Sequence, residues 1–175
     1  MHQFIHRMIL RNAVNAALQH AGVYAAGADA QLKREFKEGA KKWLTEFGNK
    51  YDRKTITETS WCDAIADLST HLADGYGDYL NDARVRIGVS QKMISLYLKY
   101  RWLLGEEAKR PLYAVVDRGI MLSAKVFNPP NWTKLDDMKE YLKVVKKIEE
   151  YAQKQKSLDG AEWEANQWTD EDEAR

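Results

Sequence analysis

Apolar residues recur along almost the whole chain at intervals of three or four positions, and no segment alternates apolar and polar residues as a half-buried strand does. This periodicity predicts an all-α fold, a compact multi-helix globular domain. We expect helices at about residues 3–20, 29–48, 57–74, 76–84, 90–104, 118–125, 136–156 and 158–168. Glycines lie between these segments, where helices commonly end: Gly22, Gly27, Gly75, Gly77, Gly88 and Gly105.

The helix expected over residues 136–156 has the clearest start signal. Thr133 followed by Asp136 resembles a capping box in which aspartate replaces glutamate. One apolar stripe runs along this helix: Met138, Tyr141, Leu142, Val145, Ile148 and Tyr151. The helix should therefore pack on the molecule by one face. Because Pro129 and Pro130 cannot lie inside a helix, residues 127–132 are expected to form a rigid connector.

The helix that follows Ile87 is apolar around most of its circumference. Two neighbouring stripes cover it: Met93, Tyr97, Tyr100 and Leu104, then Ile94, Leu98 and Trp102. Such a pattern predicts a central helix. Lys92 lies near its start, where the helix dipole and burial both disfavour an ammonium group and so favour a nucleophilic amine. Asp117 follows after a polar loop and Pro111, and it is expected to start a new helix.

The length of 175 residues suits one domain, which we place at residues 1–168, followed by an acidic, disordered tail at 169–175. A net charge of +1 offers no overall argument for a nucleic-acid partner. The charge is unevenly distributed, however. Residues 84–110 carry basic side chains at seven positions and acidic ones only at Glu106 and Glu107: Arg84, Arg86, Lys92, Lys99, Arg101, Lys109 and Arg110.

The remaining composition narrows the class of protein. Cys62 is the only cysteine, which excludes an intramolecular disulfide and a cysteine-based zinc site. No run approaches 18 apolar residues, and charged residues interrupt the apolar residues near the N-terminus, so we expect a cytoplasmic protein without a membrane partner. His2 and His6 are four positions apart, but the four histidines form no metal motif. Neither a metal site nor a cofactor is expected.

Several features of residues 84–118 combine into a pattern that resembles a known family. A short turn, Gly88-Val89-Ser90, precedes the buried helix, Lys92 lies in the first helical turn, and Val116-Asp117-Arg118 follows later. This arrangement resembles the helix-hairpin-helix DNA glycosylase superfamily, and within it the archaeal 8-oxoguanine glycosylases. Ser90 stands where a second hairpin glycine is usual, which indicates a divergent activity.

The resemblance implies a DNA glycosylase that excises a damaged or modified base, with associated abasic-site lyase activity. Lys92 would attack the sugar C1′, and Asp117 would activate the amine and stabilise the cationic sugar. DNA contacts are expected at the hairpin, where helix-start amides suit a phosphate, and at neighbouring basic residues. The full set is Arg84, Arg86, Gly88, Ser90, Gln91, Lys99, Arg101 and Arg118. Candidates for the pocket of the flipped base are Tyr97, Trp102, Tyr113, Trp132 and Trp61.

Simpler interpretations remain for both candidate catalytic residues. Lys92 could be a solvated lysine near a helix start, and Asp117 could serve as an N-cap. The corresponding rival functions are a non-catalytic helical DNA-binding or protein-interaction module, and a helical adaptor or inhibitor from a mobile-element or phage-defence locus. An enzyme requires the Lys92 and Asp117 side chains to converge on one cleft, whereas an adaptor would leave them apart.

Overall fold

A computed structural model describes residues 2–105 and 108–170. Within these ranges it contains seven α-helices and no β-strand, which confirms the predicted all-α fold. The helices are α1 (His2–Leu18), α2 (Ala30–Tyr51), α3 (Glu58–Tyr76), α4 (Ile87–Leu103), α5 (Arg118–Ser123), α6 (Met138–Lys154) and α7 (Gly160–Asp170). Short 3₁₀ turns lie at Gly77–Tyr79, Asn81–Ala83 and Trp132–Lys134.

Seven of the eight predicted helices are present, with ends that differ from the prediction by at most three residues. The helix predicted over residues 76–84 is wrong, because two 3₁₀ turns occupy this segment. Asp82 and Ala83 have positive φ angles of 57° and 53°, and such left-handed backbone cannot continue a right-handed helix. A helix-hairpin-helix element therefore stays a prediction.

The helix α4 lies at the centre of the molecule, as its apolar circumference predicts. Twelve of its 17 residues are buried, and it contacts α1, α2, α3 and α6. Buried apolar side chains from all seven helices join in one core cluster around it. Because α4 is enclosed on most sides, even its polar residues Ser90, Gln91, Ser95, Lys99 and Arg101 are buried.

Side-chain caps define where several helices begin. Asp29, Thr57, Asp117 and Asp137 each accept a hydrogen bond from a backbone amide in the first turn of α2, α3, α5 and α6. The predicted role of Asp117 as an N-cap is thus confirmed. These caps satisfy amides that the helix itself leaves without partners.

The predicted capping box of Thr133 and Asp136 is wrong. Instead, α6 begins two residues later, and Asp137 Oδ1 accepts a hydrogen bond from Glu140 N at 2.8 Å. Asp136 pairs with Arg84, and its Oδ1 accepts from Ile87 N at 3.4 Å. The tertiary contact with the start of α4 therefore takes Asp136 away from a local cap.

The C-terminal helix begins and ends two residues later than predicted. The helix α7 continues to Asp170, two residues into the expected tail, and residues 171–175 lie outside the described part. None of the described helices combines the length and apolar composition that crossing a membrane requires.

Candidate functional site

The side chains of Lys92 and Asp117 converge on one cleft. Lys92 Nζ lies 2.9 Å from Asp117 Oδ2, although the two residues are 25 positions apart in the chain. The lysine side chain is 12% exposed and the aspartate side chain 24% exposed, so the pair is reachable but largely shielded from water. The cleft has a volume of about 510 Å³ and is open to solvent. It meets the geometric requirement that distinguishes an enzyme from an adaptor.

Lys92 does not lie in the first helical turn, as the sequence pattern suggested. Since α4 begins at Ile87, Lys92 is in the second turn, and Gly88 and Ser90 are in the first. The helix starts early because the carbonyl oxygen of Arg86 accepts hydrogen bonds from Val89 N and Ser90 N, both at 3.0 Å. The direct contact with Asp117, more than the helix dipole, therefore governs the environment of the Lys92 amine.

The position of Asp117 is fixed by hydrogen bonds to the two residues that precede it, Val115 and Val116. Gln91 Nε2 donates to Val116 O at 2.7 Å, and its Oε1 accepts from Val116 N at 3.2 Å. Glu164 Oε2 accepts from Val115 N at 2.9 Å. Each of these contacts is buried, so α4 and α7 together fix the backbone one and two residues before Asp117.

Trp132 forms one wall of the cleft. Lys92 Nζ lies 4.3 Å from the centroid of its ring, a cation–π distance. Trp132 is 8% exposed, and its backbone lies against α4 at Gly88, whose amide donates to Leu135 O at 2.8 Å. Other walls come from the end of α1, the connector before Trp132 and the start of α5: Ala16, Gln19, His20, Arg118, Gly119, Pro129, Pro130, Asn131 and Thr133.

A second, fully buried ion pair lies behind the cleft on α4. Lys99 Nζ is 2.5 Å from Glu164 Oε1, and both side chains are 2% exposed. Burial raises the pKa of Glu164, and the charge of Lys99 only partly opposes this effect. Burial also raises the pKa of Tyr100, with smaller contributions from the carboxylates of Glu164 and Asp117. The site therefore lies beside a water-poor, charged interior.

Most of the predicted DNA-contacting residues of α4 are directed into the protein. Lys99 pairs with Glu164, and Arg101 Nη2 donates to Asp52 Oδ2 at 2.7 Å. Ser90 and Gln91 have no exposed surface. These four side chains lie where a duplex cannot reach them, so the expectation that they contact DNA is wrong. The cause is the enclosure of α4, which buries its polar positions together with partners distant in sequence.

The hairpin amides are not free to bind a phosphate either. Gly88 N donates to Leu135 O, and the next two amides donate to Arg86 O. On the surface, Arg84 pairs with Asp136, and Arg86 pairs with Asp82. Arg118 differs from these residues, because it is exposed at the edge of the cleft.

Of the five aromatic residues considered for a base pocket, only Trp132 lines the cleft. Trp61 is fully buried and donates to Tyr141 Oη at 2.9 Å, and Tyr113 packs edge-on against Trp61. Tyr97 is also fully buried, edge-on to His6. Trp102 lies near Arg110, with 5.9 Å between the guanidinium carbon and the ring centroid. The other four aromatic residues serve packing.

Sequence reasoning missed what Gln91 and Glu164 do. The sequence predicts Gln91 only as a DNA contact, and no local pattern distinguishes Glu164 from the other acidic residues near it. Polar residues inside an otherwise apolar helix were the available clue, since buried polar groups require partners. No group of three or more potential metal-ligating side chains gathers within the described ranges.

Comparison of the chain with protein-family models, with curated proteins and with solved structures finds no match. What the molecule does must therefore be argued from the geometry of its own cleft.

Proposed function

We propose that the protein is a DNA glycosylase with associated lyase activity, in which Lys92 is the nucleophile and Asp117 the assisting carboxylate. The observation that carries this proposal is the 2.9 Å contact between Lys92 Nζ and Asp117 Oδ2 in a cleft open to solvent. Two further features support it. Trp132 offers an aromatic face inside the cleft, and Arg118 supplies a cation at its edge.

The geometry suits attack by an amine on a sugar carbon. Lys92 first transfers a proton to Asp117, and the neutral amine then attacks C1′. The bond between C1′ and the base nitrogen breaks, and the base leaves with the bonding electron pair and takes up a proton. Asp117 passes its proton to the departing base, and the carboxylate that this restores is placed to stabilise the positive charge that builds on the sugar. Opening of the sugar ring gives a Schiff base on Lys92, from which the DNA strand is cleaved by elimination.

The base must leave the helical stack before this reaction, and the cleft is large enough to receive one. A volume of about 510 Å³ lies within the usual range of small-molecule sites. The Trp132 ring lies beside the Lys92 amine, so a base held in this cleft would have its own C1′ near that amine. The proposal leaves the identity of the excised base to experiment.

In the non-catalytic interpretation, the Lys92–Asp117 ion pair serves only as a structural clamp that holds α4 against α5. One substitution separates this structural role from the catalytic role. We predict that Lys92→Arg keeps the ion pair with Asp117 and the cation–π contact with Trp132 but forms no Schiff base, because a guanidinium does not act as an amine nucleophile. Thermal unfolding should show a stability close to that of the wild type. Borohydride trapping on duplex oligonucleotides with an abasic site should lose the covalent complex.

The trapping experiment needs matched controls and a substrate panel. Lys139→Gln removes an exposed lysine of α6 and should trap like the wild type, whereas Lys92→Gln should not. A panel of duplexes with single modified bases, assayed for abasic sites and strand breaks, identifies the substrate. Full trapping by the Lys92 variants would assign the reaction to another amine. A wild-type protein that neither traps nor releases any base would leave the clamp role.

A further inference from the structure

A groove between α1 and α2 has strongly cationic walls. Its volume is about 530 Å³, and it lies apart from the Lys92 cleft. Arg7 and Arg11 line it from α1, and Lys41 and Lys42 line it from α2. Four cations therefore line one groove together with a single acidic residue, Glu38, and apolar side chains that include Phe4 and Met8.

Most of these charges are not neutralised by the protein. Lys41 Nζ pairs with Glu38 Oε1 at 2.8 Å, which leaves no net charge from that pair. Arg7, Arg11 and Lys42 form no ion pair with any described residue. This groove therefore differs from α4, where two buried cations that the sequence suggested for DNA binding, Lys99 and Arg101, are paired with carboxylates.

The groove continues toward the Lys92 cleft along one stripe of α1. Arg7, Arg11, Asn15 and Gln19 recur every fourth residue, and all four are exposed. Asn15 lines an intermediate cleft with Lys37, and that cleft shares Gln19 with the cleft of Lys92 and Asp117. The stripe spans about 18 Å at 1.5 Å per residue, roughly five nucleotide steps at 3.4 Å per step of one strand.

We propose that the α1–α2 groove and the α1 stripe form a track for the phosphodiester backbone of the DNA strand whose target nucleotide occupies the Lys92 cleft. The choice of DNA rests on the proposed function, whereas the polyanionic character of the ligand rests on the unpaired cations alone. Arginine and lysine neutralise phosphates, and the amide side chains of Asn15 and Gln19 contact them without net charge. Binding of this kind follows the backbone and is independent of base sequence.

The test is the salt dependence of binding to a fluorescein-labelled oligonucleotide without any lesion. The variant carries Arg7→Gln, Arg11→Gln and Lys42→Gln together. In a plot of log affinity against log salt concentration, the magnitude of its slope should fall by about two units. Three phosphate contacts are removed, and each contributes about 0.7 to 0.9 unit. A matched control carries Lys139→Gln, Lys143→Gln and Lys147→Gln, three exposed lysines at four-residue spacing on α6. Its slope should stay that of the wild type.

Three outcomes would overturn the proposal. The groove variant could keep the wild-type slope, the α6 control could lose as much slope as the groove variant, or the wild-type protein could bind anionic lipid vesicles but no oligonucleotide. Failure of the proposed function is recognised separately, because binding to an oligonucleotide without a lesion involves no Schiff base and is measured apart from borohydride trapping. The groove variant alone could lose salt-dependent binding while no form of the protein traps with borohydride. This result would support the phosphate track and reject the glycosylase proposal.

Discussion

Asp117 uses its two carboxylate oxygens for two different contacts. Oδ1 accepts from Ile120 N at 3.0 Å and so caps α5, while Oδ2 lies 2.9 Å from Lys92 Nζ. One residue therefore links the start of a helix to the charge of the cleft. Because the cap needs only an acceptor and the pair needs a negative charge, substitution with asparagine separates them.

We predict that Asp117→Asn lowers the proposed glycosylase activity by about a hundredfold or more, because the negative charge that is proposed to stabilise the sugar cation is lost. The free energy of unfolding should fall by about 1–2 kcal/mol, since the cap remains but the largely shielded Lys92 loses its carboxylate. Chemical denaturation and base-release kinetics measure the two effects. The matched control is Asp137→Asn, which changes an exposed N-cap of α6 that forms no ion pair with any described residue. Full activity in Asp117→Asn would reduce this residue to a cap.

Glu149 is a second acidic residue whose environment can be tested. Its Oε2 accepts from Gly160 N at 2.9 Å, whereas Oε1 is buried without a hydrogen-bond partner among the described residues. Burial is the main cause that raises the pKa of this carboxyl group. The folded protein therefore holds this proton at a pH where the unfolded chain has released it.

The sign of the pH effect follows from this difference. As pH rises from the carboxyl pKa of the unfolded chain to the raised pKa of the folded protein, Glu149 makes folding progressively less favourable. Glu149→Gln removes this contribution, so its stability relative to the wild type should increase as pH rises above the ordinary carboxyl pKa of glutamate, about 4.3, toward the raised pKa of the folded protein. Urea denaturation at several pH values measures the difference. Glu150→Gln, at an exposed neighbouring position, controls for the loss of one negative charge. A constant difference across this range would contradict the prediction.

At the scale of elements, the contact between α4 and the segment before α6 shapes the cleft. Gly88 lies in the first turn of α4, and a Cβ there would overlap the carbonyl oxygen of Trp132 and lie 3.2 Å from Leu135 Cβ. Glycine is required for this close approach, not for a special backbone conformation. This close approach places the Trp132 ring beside Lys92. Helix packing and the shape of the cleft therefore both depend on having glycine at position 88.

We predict that Gly88→Ala destabilises the protein by about 1–3 kcal/mol, because the Trp132 backbone must move away from α4. Lys92 should also become more accessible, which limited labelling with an amine reagent followed by peptide mass spectrometry can measure. Gly75→Ala is the matched control. Gly75 lies within α3 with open space around it, and alanine there should stabilise the helix by about 0.5–1 kcal/mol. Equal effects of the two substitutions would contradict the role of Gly88.

At the scale of the whole molecule, one fully buried and one partly buried ion pair connect α4 to the rest of the chain. Lys99 reaches Glu164 across 65 positions, and Arg101 reaches Asp52 across 49. Glu164 also accepts from Val115 N, which joins α4, α7 and the backbone just before Asp117. The docking of α7 and the geometry of the cleft are therefore connected through one buried carboxylate.

We predict that Lys99→Met costs about 3–5 kcal/mol of stability, because it leaves the Glu164 carboxylate buried without its cation. Adding Glu164→Gln should recover part of this loss, since the glutamine oxygen can still accept from Val115 N while the buried charge is removed. A double-mutant cycle by chemical denaturation gives the coupling energy between the two residues. Additive losses would show that the pair makes no net interaction.

The periodic spacing of apolar residues was sufficient to predict an all-α fold, seven of the helices and the central position of α4. These properties are local, because a helix depends on side chains three or four positions apart and on caps near its ends. The family resemblance brought Lys92 and Asp117 together as candidates, and the structure confirms their convergence. The exception at residues 76–84 arose where left-handed backbone at Asp82 and Ala83 interrupted a plausible helical pattern.

Only the tertiary structure decided which polar residues are available to a ligand. A basic residue looks the same in sequence whether it faces water or a buried carboxylate, so Lys99 and Arg101 could not be distinguished from Arg7 and Arg11. Their partners lie far away in the chain, and burial with those partners is a property of packing that no local pattern encodes. The sequence by itself thus determined the helices and the candidate pair, while the arrangement of the helices determined the cleft and the cationic groove that leads to it.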